Sequence, residues 1–514
     1  MSSSLIRGKY VVRKVVHGDP EIINNGAVFQ QRGRIVEVGP YDDLARKYQP
    51  DEIIGSEHDV VMPGLVNSHH HVGLTPFQLG SPDYPLELWL ASRLAARDVD
   101  PYLDTLYSAF EMVQSGVTTV QHIHVRFSGP ATRWGEAIDR VLKAYEDIGM
   151  RASYTMFVRD QNRLAYEADE QFVRRLPPEI SGGIAAMLRA QTIPLEEQLE
   201  GLFTPLWERW GRNQRERIRI QLGPANLHWC SDAALVAAKE YAERFGVGMH
   251  MHLLETPYQK EYARRRTGVT AVRHLHDLGL LGPQMTLGHG VWLTEEDVDL
   301  VAETGTMICH NASSNLRLRS GIAALNYWVS RGVRVAIGID EAGINDDRDM
   351  LQEMRLVVHL HRVPGMDTQV PTAAHVFQMA TEYGAYTTGF GDAMGTLDPG
   401  KAADVVVMDW NQIAYPYLDE DVPVLDALVY RARTAGVKAV LVGGDVVLRD
   451  GHFTRVDRQA VLEELAAALR APLGPDELWR RELARAVFPH VRAFYASWLR
   501  NQRYAPFYVT SSRR

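Results

Sequence analysis

The apolar run Val61-Met-Pro-Gly-Leu-Val-Asn-Ser-His-His-His-Val-Gly73 ends in His69 and His71 with one residue between them. Side chains alternate faces along a strand, so these two imidazoles point the same way and His70 points to the opposite face. Two neutral imidazoles converging from one strand end make half of a zinc-type site. His250-Met-His252-Leu-Leu-Glu255-Thr repeats the i, i+2 histidine pair and adds a carboxylate three residues after the second histidine. One of these histidines can ligate a metal while Glu255 handles protons, and a buried structural role is equally open to His250. Thr286-Leu-Gly-His289-Gly ends another apolar stretch in a single histidine. Val333-Arg-Val-Ala-Ile-Gly-Ile-Asp340 ends in a lone carboxylate, which a buried strand does not carry without a metal, a cation or a hydrogen-bonding partner. Three imidazoles and one carboxylate, with a position left open for water, match a catalytic rather than a closed structural metal site. An ion so held brings the proton loss of bound water near neutral pH and thereby supplies a nucleophile.

Such residues must be delivered to one place by repeated elements. From Val61 to about Thr388, strand candidates near 61–72, 117–125, 151–158, 217–223, 247–254, 285–291, 305–310 and 333–340 alternate with helical stretches. This alternation predicts an α/β fold with a parallel sheet, and eight strands suggest closure into a (β/α)8 TIM barrel with polar residues at the C-terminal strand ends. The first 60 residues hold short β-rich segments, at Tyr10 to Val16, Gly26 to Gln30 and Arg34 to Val38. Further strands at Ala403 to Asp409 and Val437 to Arg449 are expected to complete that sheet. The expected organisation is therefore a small β-sandwich built from 1–60 and 391–456, a catalytic barrel over 61–390, and a helical tail over 457–514. VLEELAAALRA and DELWRRELARAVFPHVRAFYASWLRN in the tail carry an apolar stripe at helical spacing, which favours packing on the barrel over a subunit contact.

The 514 residues are 46% hydrophobic and 23% charged, with 55 basic and 64 acidic side chains for a net charge of −9. This is ordinary globular composition, and the acidic balance without a basic run argues against a nucleic-acid partner. MSSSLIRGKYVVRK lacks an apolar signal-peptide core and no segment approaches bilayer length, so a cytoplasmic protein without membrane partner is expected. Cys230 and Cys309 are too few for a disulfide framework and read as buried thiols.

The chain resembles the amidohydrolase superfamily, in particular the mononuclear branch of cytosine, guanine, adenosyl-homocysteine and triazine hydrolases. The resemblance covers nearly the whole chain. It rests on MPGLVNSHHHVG, SGVTTVQ at 115–121, HLLET at 252–256, TLGHGVWLT at 286–294, HNASSNLRLRSG at 310–321, GID at 338–340 and MGTLDPGKAADVVVMD at 394–409. It implies His69, His71, His252 and Asp340 as metal ligands, Glu255 as proton shuttle, and His289 as the group that polarises substrate and orients the attacking water. The binuclear branch bridges two metals with a modified lysine on the fourth strand. RIRIQLG at 217–223 has no lysine, so one divalent ion is implied, Zn2+ first and Fe2+ or Mn2+ as alternatives.

Departures from the family pattern bear on substrate. Many deaminases of this branch carry Pro-His after the fourth strand, whereas this chain reads Gly223-Pro-Ala-Asn-Leu-His-Trp-Cys-Ser-Asp232, with Ala225 where the histidine would stand. Asn226 and His228 are candidate replacements. Trp89 resembles the family's first-loop aromatic and is a candidate cover for substrate, with a loop anchor as the alternative. His124 and His122 are expected in the pocket wall, and His310, with Asn311 and Asn315, in the loop after the seventh strand, His310 being the one nearest to ligand. Glu341, Asn345 and Asp346 after Asp340 are expected to make loop hydrogen bonds. The expected activity is hydrolysis of a non-peptide carbon–nitrogen bond of amide, ureide, carbamate or amidine type in a small planar molecule. The rival is an aminohydrolase, a deaminase or dealkylaminase of a nitrogen heterocycle. A non-catalytic scaffold is the reading from another class, and such proteins typically lose ligands that are all present here. A small-molecule substrate and a homo-oligomer are the partners expected.

Overall fold

Valine- and isoleucine-rich segments from both chain ends form one eight-stranded sheet. The computed structural model describes residues 3–71, 73–125, 127, 129, 131–212, 217–366, 370–505 and 507. The N-terminal part supplies β1 (Ser3–Val16), β2 (Asp19–Gln31), β3 (Arg34–Pro40) and β4 (Glu52–Pro63). The barrel strands follow as β5 (Leu65–His70), β6 (Val117–His124), β7 (Arg151–Val158), β8 (Ile218–Pro224), β9 (Met249–Leu253), β10 (Met285–His289), β11 (Met307–His310) and β12 (Val335–Ile337). β13 (Val405–Asp409), β14 (Val437–Val442), β15 (Asp445–Arg449) and β16 (His452–Phe453) return to the first sheet. Its order is β16-β15-β14-β13-β4-β1-β2-β3. The β3 edge folds back on the chain before β13, where Ile35 N–H donates to Lys401 O (2.9 Å) and Ala403 N–H to Gly33 O (2.9 Å). Ile6, Val28, Val61, Val405 and Leu441 fill the interior so formed.

β5 to β12 lie side by side in chain order, and the recorded pairings are parallel. Their side chains are almost all buried, as expected of parallel strands covered on the outside by helices. The ring closes between its ends: Asp340 N–H donates to His69 O (2.8 Å), and His70 bridges Asp340 in parallel sense. The sheet is thus the (β/α)8 barrel that the eight apolar runs suggest.

One boundary differs from the sequence expectation. Residues 61–63 of the 61–72 candidate belong to β4, with Val61 paired to Val407 of β13, and the barrel strand starts at Leu65. Pro63 has no N–H for a ladder, and a Cβ on Gly64 would meet Thr118 Oγ1 at 2.1 Å, so the chain changes sheets at this Pro-Gly step. Val72, the far end of that candidate, lies outside the described residues. A buried ion pair joins the two sheets, Arg151 Nε donating to Asp404 Oδ2 (2.6 Å) and Nη2 to Oδ1 (3.0 Å).

The tail folds as helices Arg458–Arg470 and Pro475–Tyr495. Leu483, Val487, Val491 and Tyr495 of the second helix share a core with Leu164, Tyr166 and Ile184. Those partners lie in the segments after β7, so this helix sits on the rim to which the barrel strands point. Residues 506 and 508–514 of the expected tail lie outside the described residues. No helix among the described residues is long and apolar enough to cross a membrane.

Candidate metal centre and active site

The pleat of β5 turns His69 into the barrel mouth and His70 outward, where its Nε2 meets Ser108 Oγ (3.2 Å), and His71, just past the strand end, turns back to the mouth. β9 brings His252 to the same point. The Nε2 atoms of His69, His71 and His252 form a triangle with sides of 3.2, 3.1 and 3.1 Å. Asp340 Oδ1 lies 3.0 Å from His71 Nε2 and 3.6 Å from His69 Nε2. Imidazoles bound to one tetrahedral ion at about 2.0–2.1 Å stand roughly 3.3 Å apart, so the spacing suits a single small divalent cation.

Tautomers support the same reading. His71 Nδ1–H donates to Ile123 O (2.7 Å), and His69 Nδ1 lies 2.8 Å from His250 Nε2. With Nδ1–H committed to a carbonyl, a neutral His71 turns its Nε2 lone pair to the centre, and a cation there would take the place of the hydrogen bond to Asp340. Burial, reinforced by neighbouring imidazoles, holds His69 and His252 well below the usual histidine range, so both rings are neutral at physiological pH, the form that can bind a cation. Burial works to lower His71 too, but the Asp340 carboxylate outweighs it and raises this ring. Burial alone would raise Asp340. The His71 hydrogen bond and the surrounding rings override it and hold the carboxylate below its ordinary range.

Backbone geometry is specialised here. Asp340 has φ 65° and His289 φ 73°, left-handed values that side-chain-bearing residues seldom adopt and that cluster at functional sites. Two glycines give His69 its room. A Cβ on Gly288 would meet His69 Cε1 at 2.9 Å, and one on Gly338 would meet His69 Cβ at 2.5 Å.

Beside the ligand group, His289 Nε2 faces Glu255 Oε2 and Asp340 Oδ2, each at 3.7 Å. Its Nδ1–H donates to Asn315 Oδ1 (2.9 Å), which sets the ring plane. Burial pushes the Glu255 carboxyl up to about 7, where it can both take and give a proton. Ser320 Oγ donates to Glu255 Oε1 (3.1 Å) and Ser314 Oγ to Asp340 Oδ2 (2.6 Å). Neither serine is singled out by spacing, although both lie inside the HNASSNLRLRSG motif.

The other candidates are dispersed around this centre. His124 lines a cavity of about 480 Å³ together with His71, His122, Phe127 and Arg93, large enough for a small organic molecule, and its ring stacks on Phe127. Trp89 is buried against Leu86 and Leu318, under the Arg93 guanidinium (4.6 Å to the ring), and shares a hollow with Ser314. Asn226 is buried just past β8, and its carbonyl accepts from Trp229 and Cys230 N–H. His228 is buried against Tyr166 and Trp229, with no hydrogen-bond partner for either ring nitrogen among the described residues.

His310 departs from the expectation of ligand contact. It is fully buried, and its Nε2 lies 2.9 Å from His361 Nε2, beside Trp328. The short strand β11 sends this side chain outward under the covering helices, so it is a packing residue. Glu341 pairs with Arg93, Asn345 donates to Gln352 (2.7 Å), and Asp346 accepts from Thr75 (2.8 Å) and Arg317 (2.8 Å), all of them loop-forming contacts.

Residues 60–447 match the Amidohydrolase family. A 5-methylthioadenosine/S-adenosylhomocysteine deaminase of Desulforudis audaxviator is 33% identical over 474 residues, covering 91% of this chain and 98% of the relative. A 5'-deoxyadenosine deaminase of Methanosarcina mazei is 29% identical over 475 residues, with the same shares covered. Among solved structures, an adenosine deaminase from Xanthomonas campestris with bound zinc is similar at TM-score 0.73 and 24% identity, over 94% of this chain and 98% of that one; at this identity the likeness speaks for the fold. The chain belongs to the amidohydrolase family and is a hydrolase of carbon–nitrogen bonds other than peptide bonds.

Proposed function

We propose that this protein is a metal-dependent aminohydrolase that releases ammonia from the amino-bearing carbon of an adenine-type ring in a small nucleoside. The observation that carries the reading is the convergence of His69, His71, His252 and Asp340, with Glu255 and His289 at its edge. The deaminase relatives, matched along nearly their whole length, support the substrate class. One divalent ion, zinc before iron or manganese, would be held by His69, His71, His252 and Asp340, and it supplies the Lewis acidity that makes water nucleophilic near neutral pH.

The chain's own residues do the rest. Asp340, kept ionised and anchored by Ser314, accepts a hydrogen bond from the attacking water and orients it. His289, its ring plane set by Asn315, would accept a hydrogen bond from the attacking water through Nε2 and help to orient it. Glu255 passes one proton of water to the departing amino group and the other ends on the ring nitrogen, so that the amino-bearing carbon becomes a carbonyl and ammonia leaves. Trp89, His124, Asn226 and His228 are proposed to line the substrate's space.

Incubation with 5'-methylthioadenosine and with 5'-deoxyadenosine is expected to give one ammonia per nucleoside consumed, with activity lost on chelation and restored by zinc. Ala225 in place of the deaminase histidine favours a second reading, hydrolysis of an amide- or ureide-type bond. Failure to release ammonia from either nucleoside, together with acid and amine from acyl or ureido substrates, would establish that reading instead.

A further inference from the structure

A chain of buried hydrogen bonds runs from Glu255 to the C-terminal tail through a carboxyl group that the proposed reaction does not use. Glu255 N–H donates to Gln259 Oε1 (2.8 Å), and Gln259 N–H donates to Thr256 Oγ1 (3.4 Å), the cap of helix Pro257–Thr267. The Thr256 hydroxyl in turn donates to Glu87 Oε1 (2.5 Å), which also accepts from Tyr166 Oη (2.9 Å). Tyr166 N–H donates to Tyr495 Oη (3.1 Å) in the tail helix. Glu87, Tyr166, Glu255, Thr256, Gln259 and Tyr495 are all buried. A buried carboxyl is costly, and this one is retained with two hydroxyl donors on a single oxygen. The backbone it braces needs support, because Leu254, immediately before Glu255, has φ 50°.

We propose that Glu87 is a positioning residue for Glu255, holding the Leu254–Gln259 turn through Thr256, and that Tyr495 makes the tail helix part of that support. The proposal rests on the reading of Glu255 as proton carrier. Glu87 acts on the turn that aims Glu255 and has no contact with the ligand group. Its loss therefore misplaces a proton donor and leaves ion binding in place, so the penalty falls chiefly on kcat.

The test compares variants of the 514-residue chain on 5'-methylthioadenosine. Glu87→Leu is expected to lower kcat by roughly 10- to 100-fold with KM within about threefold and metal content unchanged. Glu87→Gln keeps the accepting oxygen and is expected to stay within about threefold of the parent, and Tyr495→Phe is expected to lose roughly 3- to 10-fold in kcat. In a Glu255→Gln background, Glu87→Leu should cost nothing further, since the group it positions is already gone. Amide exchange of residues 254–259 should quicken in Glu87→Leu and Tyr495→Phe, a readout that needs no substrate. Unchanged exchange, equal loss in the Gln and Leu variants, or a full additional loss in the Glu255→Gln background would each overturn the proposal. Should Glu87→Leu fail to fold, Tyr166→Phe removes one donor to Glu87 and is judged by the same kcat, KM and background criteria. A Glu255→Gln variant that turns over normally would instead overturn the proton-carrier reading on which the proposal rests, and with it the proposal.

Discussion

Asp340→Asn is expected to fold normally and to lose turnover by about 10³-fold or more. The fold should survive because asparagine tolerates the left-handed backbone that Asp340 adopts at φ 65°. The N–H that closes the barrel onto His69 O belongs to the backbone and is untouched. Function should fail because two duties are proposed for the carboxylate: Oδ1 lies with the imidazoles of His69 and His71, and Oδ2 faces His289 beside Ser314. The amide removes the negative charge and puts an N–H where a lone pair is needed. Circular dichroism with initial rates checks both halves. Near-normal turnover would remove Asp340 from the mechanism.

Glu255→Gln should retain the ion and lose about 10²- to 10⁴-fold in turnover on the amino nucleoside. Glutamine keeps the shape and can still accept from Ser320, but it carries no proton near neutral pH, where burial poises the glutamate at about 7. A substrate whose leaving group departs without protonation should be affected far less. Equal losses on the two substrates would assign Glu255 to the water or to the integrity of the site, and the leaving-group role would fall.

Much of this architecture is written locally in the chain. The barrel strands β5, β6, β10 and β11 are short buried runs ending in histidine, because a parallel strand buried on both faces tolerates such polarity best at its mouth. The i, i+2 spacing of His69 and His71 brings both to one face, and the lone Asp340 at the end of VAIGID can be recognised from the cost of burying a charge. What is not local is not legible. His289 and His310 both end apolar strands, yet one faces Glu255 and the other His361, and a four-residue strand gives the sequence no means of telling its parity. His250 turns out to brace His69, a role set by a contact 181 residues apart. Ser314, Ser320 and Glu87 carry no distinguishing pattern, since their importance arises only when separate loops meet over the barrel. The 61–72 run hides a change of sheet because Val61 and Leu65 are equally apolar and only the Pro63-Gly64 step marks it.

The central claim, that one small divalent ion is held by His69, His71, His252 and Asp340, is tested most directly by elemental analysis of the purified protein beside two variants of β9. The account predicts close to one ion per chain in the parent and its loss in His252→Ala. His250→Gln should keep the ion with about 10- to 100-fold weaker affinity, because it removes only the brace on His69 Nδ1. A metal-free parent of full activity, or an ion that survives in His252→Ala and is lost in His250→Gln, would contradict it.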